Sequence, residues 1–374
     1  MAKRIAISYL YQSLACGIKL LVFRYCPDPS EPLFLTDLLN KSEYMYLFSR
    51  FTTNHLSRYL FIALLLFTAC AKTDSPDPDE EQPGDNTPFT EGTLEMGMYS
   101  HGVDLGFFIK EIDFSRDDVP EQFAELAENS AKAQAFLALL EEYSESNPVA
   151  ALGLMMNAVI GTYYVKGDIV LGKARGFGYQ FDNYHDAKND IGKIFMRTLV
   201  QTDEIAEEDR ELSLTYVPSV DLGVGSGSSM DIAIYDREVS SKSQVVAGYS
   251  CDVSTYTIKS QHIPEPDPNN PLPPTPVVYK LVVYTSDAFN KTINFTHPFY
   301  LPEEAGILKL EIYYDNGEEP TLVMEPENIT ARAITDAELQ IEVSEPVYSF
   351  TDFEVSWKMI AIFFSGWGAL GVEE

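Results

Sequence analysis

The chain has 374 residues, with 26 Lys and Arg against 57 Asp and Glu, for a formal charge of −31. Its 45% hydrophobic and 12% aromatic content can bury a core, which excludes wholesale disorder, and four cysteines are too few for a disulfide scaffold. So large an acidic excess repels polyphosphate, which argues against nucleic acid or an anionic membrane surface as a partner for the body of the protein.

The first element in chain order is an apolar run of 11 residues, 59–69, reading YLFIALLLFTA. At a rise of about 1.5 Å per residue it covers about 16 Å, too short for a hydrocarbon core of about 30 Å. Arg50, His55 and Arg58 precede it and Cys70 follows. A basic flank, a short apolar segment and small residues before a cleavage point describe a signal peptide. Phe67-Thr68-Ala69-Cys70 resembles the lipobox of bacterial lipoproteins, with Phe67 where Leu is usual. The resemblance implies that the Cys70 thiol receives a diacylglyceryl group, that the peptide before it is removed, and that the new amino terminus is acylated.

A signal peptide runs about 15–30 residues, and Met45 opens one of fitting length. The expected boundaries are therefore a mis-called N-terminal extension at 1–44 and a signal peptide at 45–69. The lipidated Cys70 with an acidic, Pro-rich tether follows at 70–88, and a single domain at 89–374. Residues 1–69 hold seven basic and four acidic side chains, so the chain from Cys70 onward carries −34. Its cysteines are Cys70 and Cys251, and with Cys70 acylated no internal disulfide forms. The tether holds four prolines and six acids in 71–88 and is expected to be extended and solvated. Ala71 stands second after processing. By resemblance to lipoprotein sorting, where Asp at that place means inner-membrane retention, this implies the outer membrane. The acidic run also resembles surface-export signals of some envelope lipoproteins, with a plain solvated linker as the alternative.

A strand is expected over 89–100, where Leu94, Met96 and Met98 alternate with polar or small residues. Residues 117–147 read as one helix, capped by Asp117 or Asp118, with Pro120 in its first turn. Phe123, Leu126, Ser130, Ala133, Leu137 and Leu140 form its stripe, and Asn147-Pro148 ends it. A second, buried helix is expected over 149–159. After it come short runs rich in Val, Ile, Tyr and Phe, beginning at Thr162, Lys193, Glu211, Met230, Gln244 and Val277. The last two are joined by 262–276, which holds seven prolines in fifteen residues and reads as an exposed loop. Asp315-Asn316-Gly317 is a hairpin turn signal between two strands, and 328–334 reads as a further strand. The apolar run 357–372 holds both tryptophans and reads as a last strand, with an apolar plug or an interface patch as alternatives. The class expected is α+β, a mainly antiparallel sheet with a helical insertion near its start.

Few residues suggest chemistry. Asp182, His185, Asp186 and Asp190 carry ligand atoms for a divalent ion, but no second histidine is near and the spacing fits no calcium loop. They read as a solvated strand and turn. Gly223, Gly225 and Gly227 lack the Gly-Lys-Ser/Thr ending of a phosphate loop and read as a flexible turn. Gly172, Gly176 and Gly178 read as bulges or sheet bends. Cys251 has no neighbouring base and reads as a core cysteine. No hydrolase motif is present. The sequence thus points to no catalytic residue, no metal and no cofactor, and the protein is not expected to be an enzyme.

Five segments, by their order, resemble uncharacterised envelope lipoproteins related to the LolA/LolB carriers: 89–94 (FTEGTL), 164–168 (YVKGD), 245–251 (VVAGYSC), 283–285 (VYT), and 301–312 from Leu301-Pro302 to Ile312. Glu303, Glu304 and Ala305 interrupt the last where the family has a glycine. The resemblance implies a strongly curved, incomplete β-barrel with the helical insertion acting as a lid over a concave, apolar interior. It further implies an outer-membrane-anchored lipoprotein that carries a lipid, an acyl chain or a lipidated partner, facing the periplasm or the cell surface. It carries over no ligand-contact residue. The alternative role is a surface-exposed scaffold or protein-interaction module, using the acidic face and the 262–276 loop.

Overall fold

The computed structural model describes residues 87–146, 160–200, 205–221, 232–263, 278–296, 301, 303–350 and 352–368. All of them belong to one of the two compact units into which the chain divides, Pro83–Glu265 with Pro276–Ala369. The leader, Cys70, the tether up to Asn86, the helix expected at 149–159, the glycine run at 223–227, the loop from Pro264 and residues 369–372 lie outside the described residues.

Alternating apolar and polar residues make most of this unit a sheet. Strands β1 (Glu91–Ser100), β3 (Ile160–Lys166), β4 (Ile169–Gly176), β5 (Tyr179–Asp186), β6 (Ile191–Thr198) and β7 (Glu211–Tyr216) build one half. Strands β8 (Tyr235–Val239), β10 (Tyr249–Ile258), β11 (Lys280–Asn290), β12 (Ala305–Tyr313) and β13 (Leu322–Ala331) build the other. The order across the sheet is β14-β7-β6-β5-β4-β3-β1-β13-β12-β11-β10-β8, with β14 being Val347–Ser349. Two small strands, β2 (Val103–Asp104) and β9 (Gln244–Val246), pair with β1 and β10. Every pairing is antiparallel except β14 with β7. The path ends at two different strands, so the sheet is curved but not closed. One edge is only three residues long, and the other, β8, exposes Asp236, Arg237 and Glu238, charges that block pairing with another chain.

The expected order of strands is present, with three differences. The run at 244–258 is a hairpin, β9 and β10 around Ala247-Gly248. The strand expected from Met230 begins only at Tyr235. The two strands expected after Asp315-Asn316-Gly317 are one, because β13 runs on through Pro326, absorbed by a register shift opposite Glu95 and Met96. The glycines of 172–178 make no bulge: Gly172 and Gly176 stay in register with β5, and only Gly178 turns.

The single helix expected at 117–147 is two, α2 (Val119–Asn129) and α3 (Ala131–Ser146), after a short α1 (Phe107–Glu111). Ser130, placed by periodicity in an apolar stripe, breaks the helix instead. Its backbone is extended (φ −111, ψ 120), and its Oγ accepts a hydrogen bond from the Ala133 N–H at 3.3 Å, capping α3. Serine competes for backbone donors in this way wherever the chain permits. Phe108 stacks on Phe123 at 4.8 Å and meets Phe136 edge-on at 5.1 Å, which packs the three helices together.

The apolar run expected as a last strand at 357–372 is helical over its described part, 357–368. After a one-turn helix α4 (Pro218–Asp221), residues Phe353–Gly368 form helix α5. An apolar run of this length lacks the alternation that separates strand from helix, and Val355, Met359, Ile362 and Phe363 fall on one helical face. That face packs on Tyr179, Ile194, Met196, Leu212, Leu214 and Tyr216 of β5, β6 and β7. The opposite face of the same strands is crossed by the coil 332–346. Asp336 pairs with Lys166 at 2.8 Å, Glu342 with Arg197 at 3.3 Å, and the Ser344 N–H donates to Ser213 Oγ at 2.7 Å. This half of the sheet is therefore covered on both sides.

Candidate functional site

The inside of the curve decides what the sheet can hold. The 3-10 segment Lys291–Thr296 touches β12 and also β3, β4 and β5. β12 and β5 are five positions apart in the sheet, about 24 Å if it were flat. One short segment meets both only from the concave side. Thr292, Ile293 and Asn294 are buried there. Asn294 anchors the segment: its Oδ1 accepts from the Ile307 N–H at 2.7 Å and its Nδ2 donates to the Ala305 carbonyl at 3.1 Å. Asn290 holds the start of the segment, accepting from the Thr292 N–H at 2.9 Å.

Two polar clusters flank this plug. On the β5 side, Asn183 Nδ2 donates to the Phe295 carbonyl at 3.2 Å, and Asn183 Oδ1 accepts from the Tyr216 hydroxyl at 2.7 Å. His185 lies flat against the Phe295 ring, with centroids 3.5 Å apart. It is 1% exposed, and neither ring nitrogen has a hydrogen-bond partner among the described residues. Burial pushes its pKa down to about 4, against the pull of Asp190 and Asp186. On the β10 side, the carboxylate of Glu303, 7% exposed, accepts from the Tyr256 hydroxyl at 2.5 Å and pairs with Arg237 at 2.9 Å. Arg237 also donates to Ser254 Oγ at 2.9 Å. Burial first, then the Glu303 carboxylate, raises the Tyr256 phenol. Sequence reasoning missed this cluster. Its only trace was the interruption at Glu303, Glu304 and Ala305, and that interruption supplies the buried acid.

The acidic group at 182–190 is not the solvated strand and turn that its composition suggests: Asp182, His185 and Asp186 are all buried. Nor do these residues converge. The two-residue period of β5 sends Asn183 and His185 to the concave face and Asp182 and Asp186 to the other. Asp186 closes the turn, accepting from Asn189 N at 3.0 Å and Nδ2 at 2.7 Å, while Asp190 accepts from Ser219. Among the described residues no group of three or more His, Cys, Asp or Glu is placed to hold a metal ion. Asp182 lies under the 332–346 coil. Burial raises its carboxyl pKa, while the Gln180 amide and the Lys173 charge oppose that rise. Its Oδ1 and the Nε of Arg197 are buried without hydrogen-bond partners among the described residues. Cys251 is 1% exposed, a core cysteine as expected.

The outer side of α5 carries Trp357, Ile360 and Phe364, all half-buried. A cleft of about 270 Å³ beside α1 and α2 is lined by Glu111, Gln122, Glu125, Leu126, Asn129 and Ser130, a polar and acidic wall unlike an acyl-chain site. Among the described residues no helix is long and apolar enough to cross a membrane. Cys70 lies outside the described residues.

No family model matches the chain, and no curated protein matches it. A solved structure described as "Structure of PNGF-II in C2 space group" is similar over 54% of this chain, with 9% identity and a TM-score of 0.32. The similarity spans 30% of that chain, and at this level it carries no argument about fold or activity.

Proposed function

We propose that the protein is a lipid-anchored component of a bacterial outer membrane, held by acyl chains on Cys70, whose sheet-built body is a binding module that meets its partner at the surface. The observation that carries the second half is the plug. Thr292, Ile293 and Asn294 are buried on the inside of the curve, in space that an enclosed acyl chain would need. The first half rests on the apolar run before Cys70 and the tether after it. The chain's acidic excess supports a partner engaged through charge, and the reading assigns no catalytic residue, metal or cofactor.

A second reading, carriage of a lipid, an acyl chain or a lipidated partner, is favoured by α5. This helix packs over the apolar face made by Tyr179, Ile194, Met196, Leu212 and Leu214, so its displacement would expose apolar surface to a lipid. The helical insertion α1–α3 keeps its proposed role as a lid only in that reading.

The test expresses the full chain in a diderm bacterium with radiolabelled palmitate. Label in the wild type, and none in Cys70→Ala together with loss from the outer-membrane fraction, is the expected result. An unlabelled wild-type protein that stays in the membrane overturns the anchor. Native mass spectrometry of the released protein then separates the two roles. Bound lipid overturns the surface module in favour of the carrier, and salt-sensitive binding to an envelope protein with no lipid supports the module.

A further inference from the structure

The place where the chain enters the sheet-built body is fixed. The Phe89 N–H donates to the Ala288 carbonyl at 2.7 Å, and its ring stacks on Phe289 at 4.8 Å. Tyr249 of the β9–β10 hairpin meets the same Phe289 ring edge-on at 4.8 Å. β1 then begins at Glu91. The register carries Glu91 to Lys166, Ile169, Asp186 and Ile191 in turn. The starts of β1 and β6 therefore lie at one end of the sheet, four strand spacings or about 19 Å apart if it were flat.

That end carries exposed apolar side chains. Ile191 precedes Gly192, and Val217 follows Tyr216, the partner of Gly192 across the strands, so the two hold neighbouring positions. They are 42% and 45% exposed, and Val220 on α4 is 71% exposed. The group is braced, since the Ser219 N–H donates to Asp190 Oδ1 at 3.0 Å and the Val220 N–H to the Val217 carbonyl at 2.9 Å. Val245, on the hairpin that reaches Phe289, is 50% exposed. Four of the seven exposed large hydrophobics among the described residues thus stand where the chain enters. Scattered singly they need no explanation, but gathered at one end they mark a contact surface. Charge divides along the same axis. At this end Lys291 pairs with Glu304 at 3.0 Å, Lys166 with Asp336 at 2.8 Å and Arg332 with Glu338 at 2.7 Å. At the other end, where Phe123 meets Phe177 of the β4–β5 turn, α2 and α3 hold six glutamates and one cation, Lys132.

We propose that this end of the sheet rests on the lipid surface, with Ile191, Val217, Val220 and Val245 meeting the bilayer interface and the acidic α2 and α3 turned away from it toward the partner. This orientation rests on the anchoring at Cys70 proposed above. Phe89 follows Cys70 by 19 residues, about 60 Å at an extension of about 3.1 Å per residue, so the entry end is the part of the body nearest the anchor along the chain. Four aliphatic side chains would not hold a free protein on a bilayer. A tethered body meets the surface at a high effective concentration, and a weak contact then suffices. The surface is zwitterionic lipid, because the acidic excess opposes an anionic one.

The experiment places the protein purified from the outer membrane in phosphatidylcholine vesicles, with an environment-sensitive fluorophore on Val220→Cys or, on α2, on Glu128→Cys. Cys251 is buried and does not compete for the label. Spin-labelled phosphatidylcholine in the vesicles should quench the label at position 220 and leave the one at position 128 bright. Equal quenching at the two positions, or none at either, in a protein that floats with the vesicles overturns the proposal and leaves the anchor standing. A protein that does not float overturns the anchor, and this orientation with it. Val220→Cys carrying Ile191→Asp and Val217→Asp, both at exposed positions, should lose its quenching. Persistent quenching there would mean that the dye and not the patch seeks the lipid, and that also overturns the proposal.

Discussion

The imidazole of His185 stacks on the ring of Phe295 at a centroid distance of 3.5 Å, joining β5 to the plug on the inside of the sheet. A histidine in such a place is held neutral, because charging it would put a cation with no hydrogen-bond partner against an aromatic segment. Burial drives its pKa down from 6.5 to about 4. The unfolded chain therefore takes up a proton near pH 6.5 that the folded chain refuses until about pH 4. The stability this histidine contributes is complete above pH 6.5, falls as pH drops through that window, and stops falling below about pH 4. The shift corresponds to a loss of about 3 kcal/mol. Urea unfolding at pH 7 and pH 4.5 should show it, and His185→Leu should remove most of the pH dependence. An equal dependence in the variant would assign the effect to other groups.

Asp182 is a buried acid whose environment favours the protonated form. Its raised pKa means that the folded state holds a proton the unfolded state has released, so the ionised carboxylate opposes folding at neutral pH. Asp182→Asn keeps the shape and an acceptor for Gln180. It should leave the protein as stable as the wild type or more stable at pH 7, with the advantage shrinking as pH falls. A thermal-melting comparison that found the variant less stable by more than about 1 kcal/mol would mean that Lys173 and Arg197 outweigh burial.

Helix α5 crosses the β4–β5 turn at a glycine-to-glycine contact. A Cβ on Gly366 would come within 2.3 Å of the Phe177 carbonyl oxygen and 2.7 Å of Gly178 Cα, both backbone atoms. Glycine to alanine inside a helix ordinarily stabilises by about 0.5–1 kcal/mol. Here Gly366→Ala should cost about 2–3 kcal/mol, the price of overpacking, because the turn cannot yield. Equilibrium denaturation gives the sign, and the fluorescence of Trp357 on α5 reports whether the helix has lifted. A stabilised variant would show that α5 can shift on the sheet.

Cys251 combines 1% exposure with a thiol pushed up to about 11, chiefly by burial, which the Val246 backbone hydrogen bond only partly offsets. Such a thiol is almost wholly protonated at neutral pH and shielded. Reaction with a disulfide reagent should therefore be slow in buffer and fast in denaturant. Rapid native labelling at Cys251 would contradict the packing of β10.

How much of this was legible in the sequence depended on how local the cause was. Leu94, Met96 and Met98 announced β1 because alternation is a property of the strand itself. Ser130 shows the limit of periodicity: a serine at helical spacing fits a stripe or a cap equally well, and only the backbone around it decides. The run at 357–372 failed for a related reason, since a stretch apolar at every position carries no phase. The group Asp182 to Asp190 failed differently. Its polarity read as solvation, but exposure depends on what crosses the strand, and the coil 332–346 and the segment Lys291–Thr296 come from distant parts of the chain.

Composition and local pattern alone determined that this is a strongly acidic α+β chain, mainly antiparallel, with an apolar run and a cysteine ahead of a proline-rich acidic segment. These follow from side-chain chemistry and from periods of two and 3.6 residues, which need no partner. Only the tertiary structure decided that Lys291–Thr296 lies on the inside of the curve and that His185 and Asp182 point to opposite faces. Those facts depend on long-range closure of the chain. A side chain's pKa, exposure and hydrogen-bond partners are set by the segments that arrive against it, and no local pattern encodes their arrival.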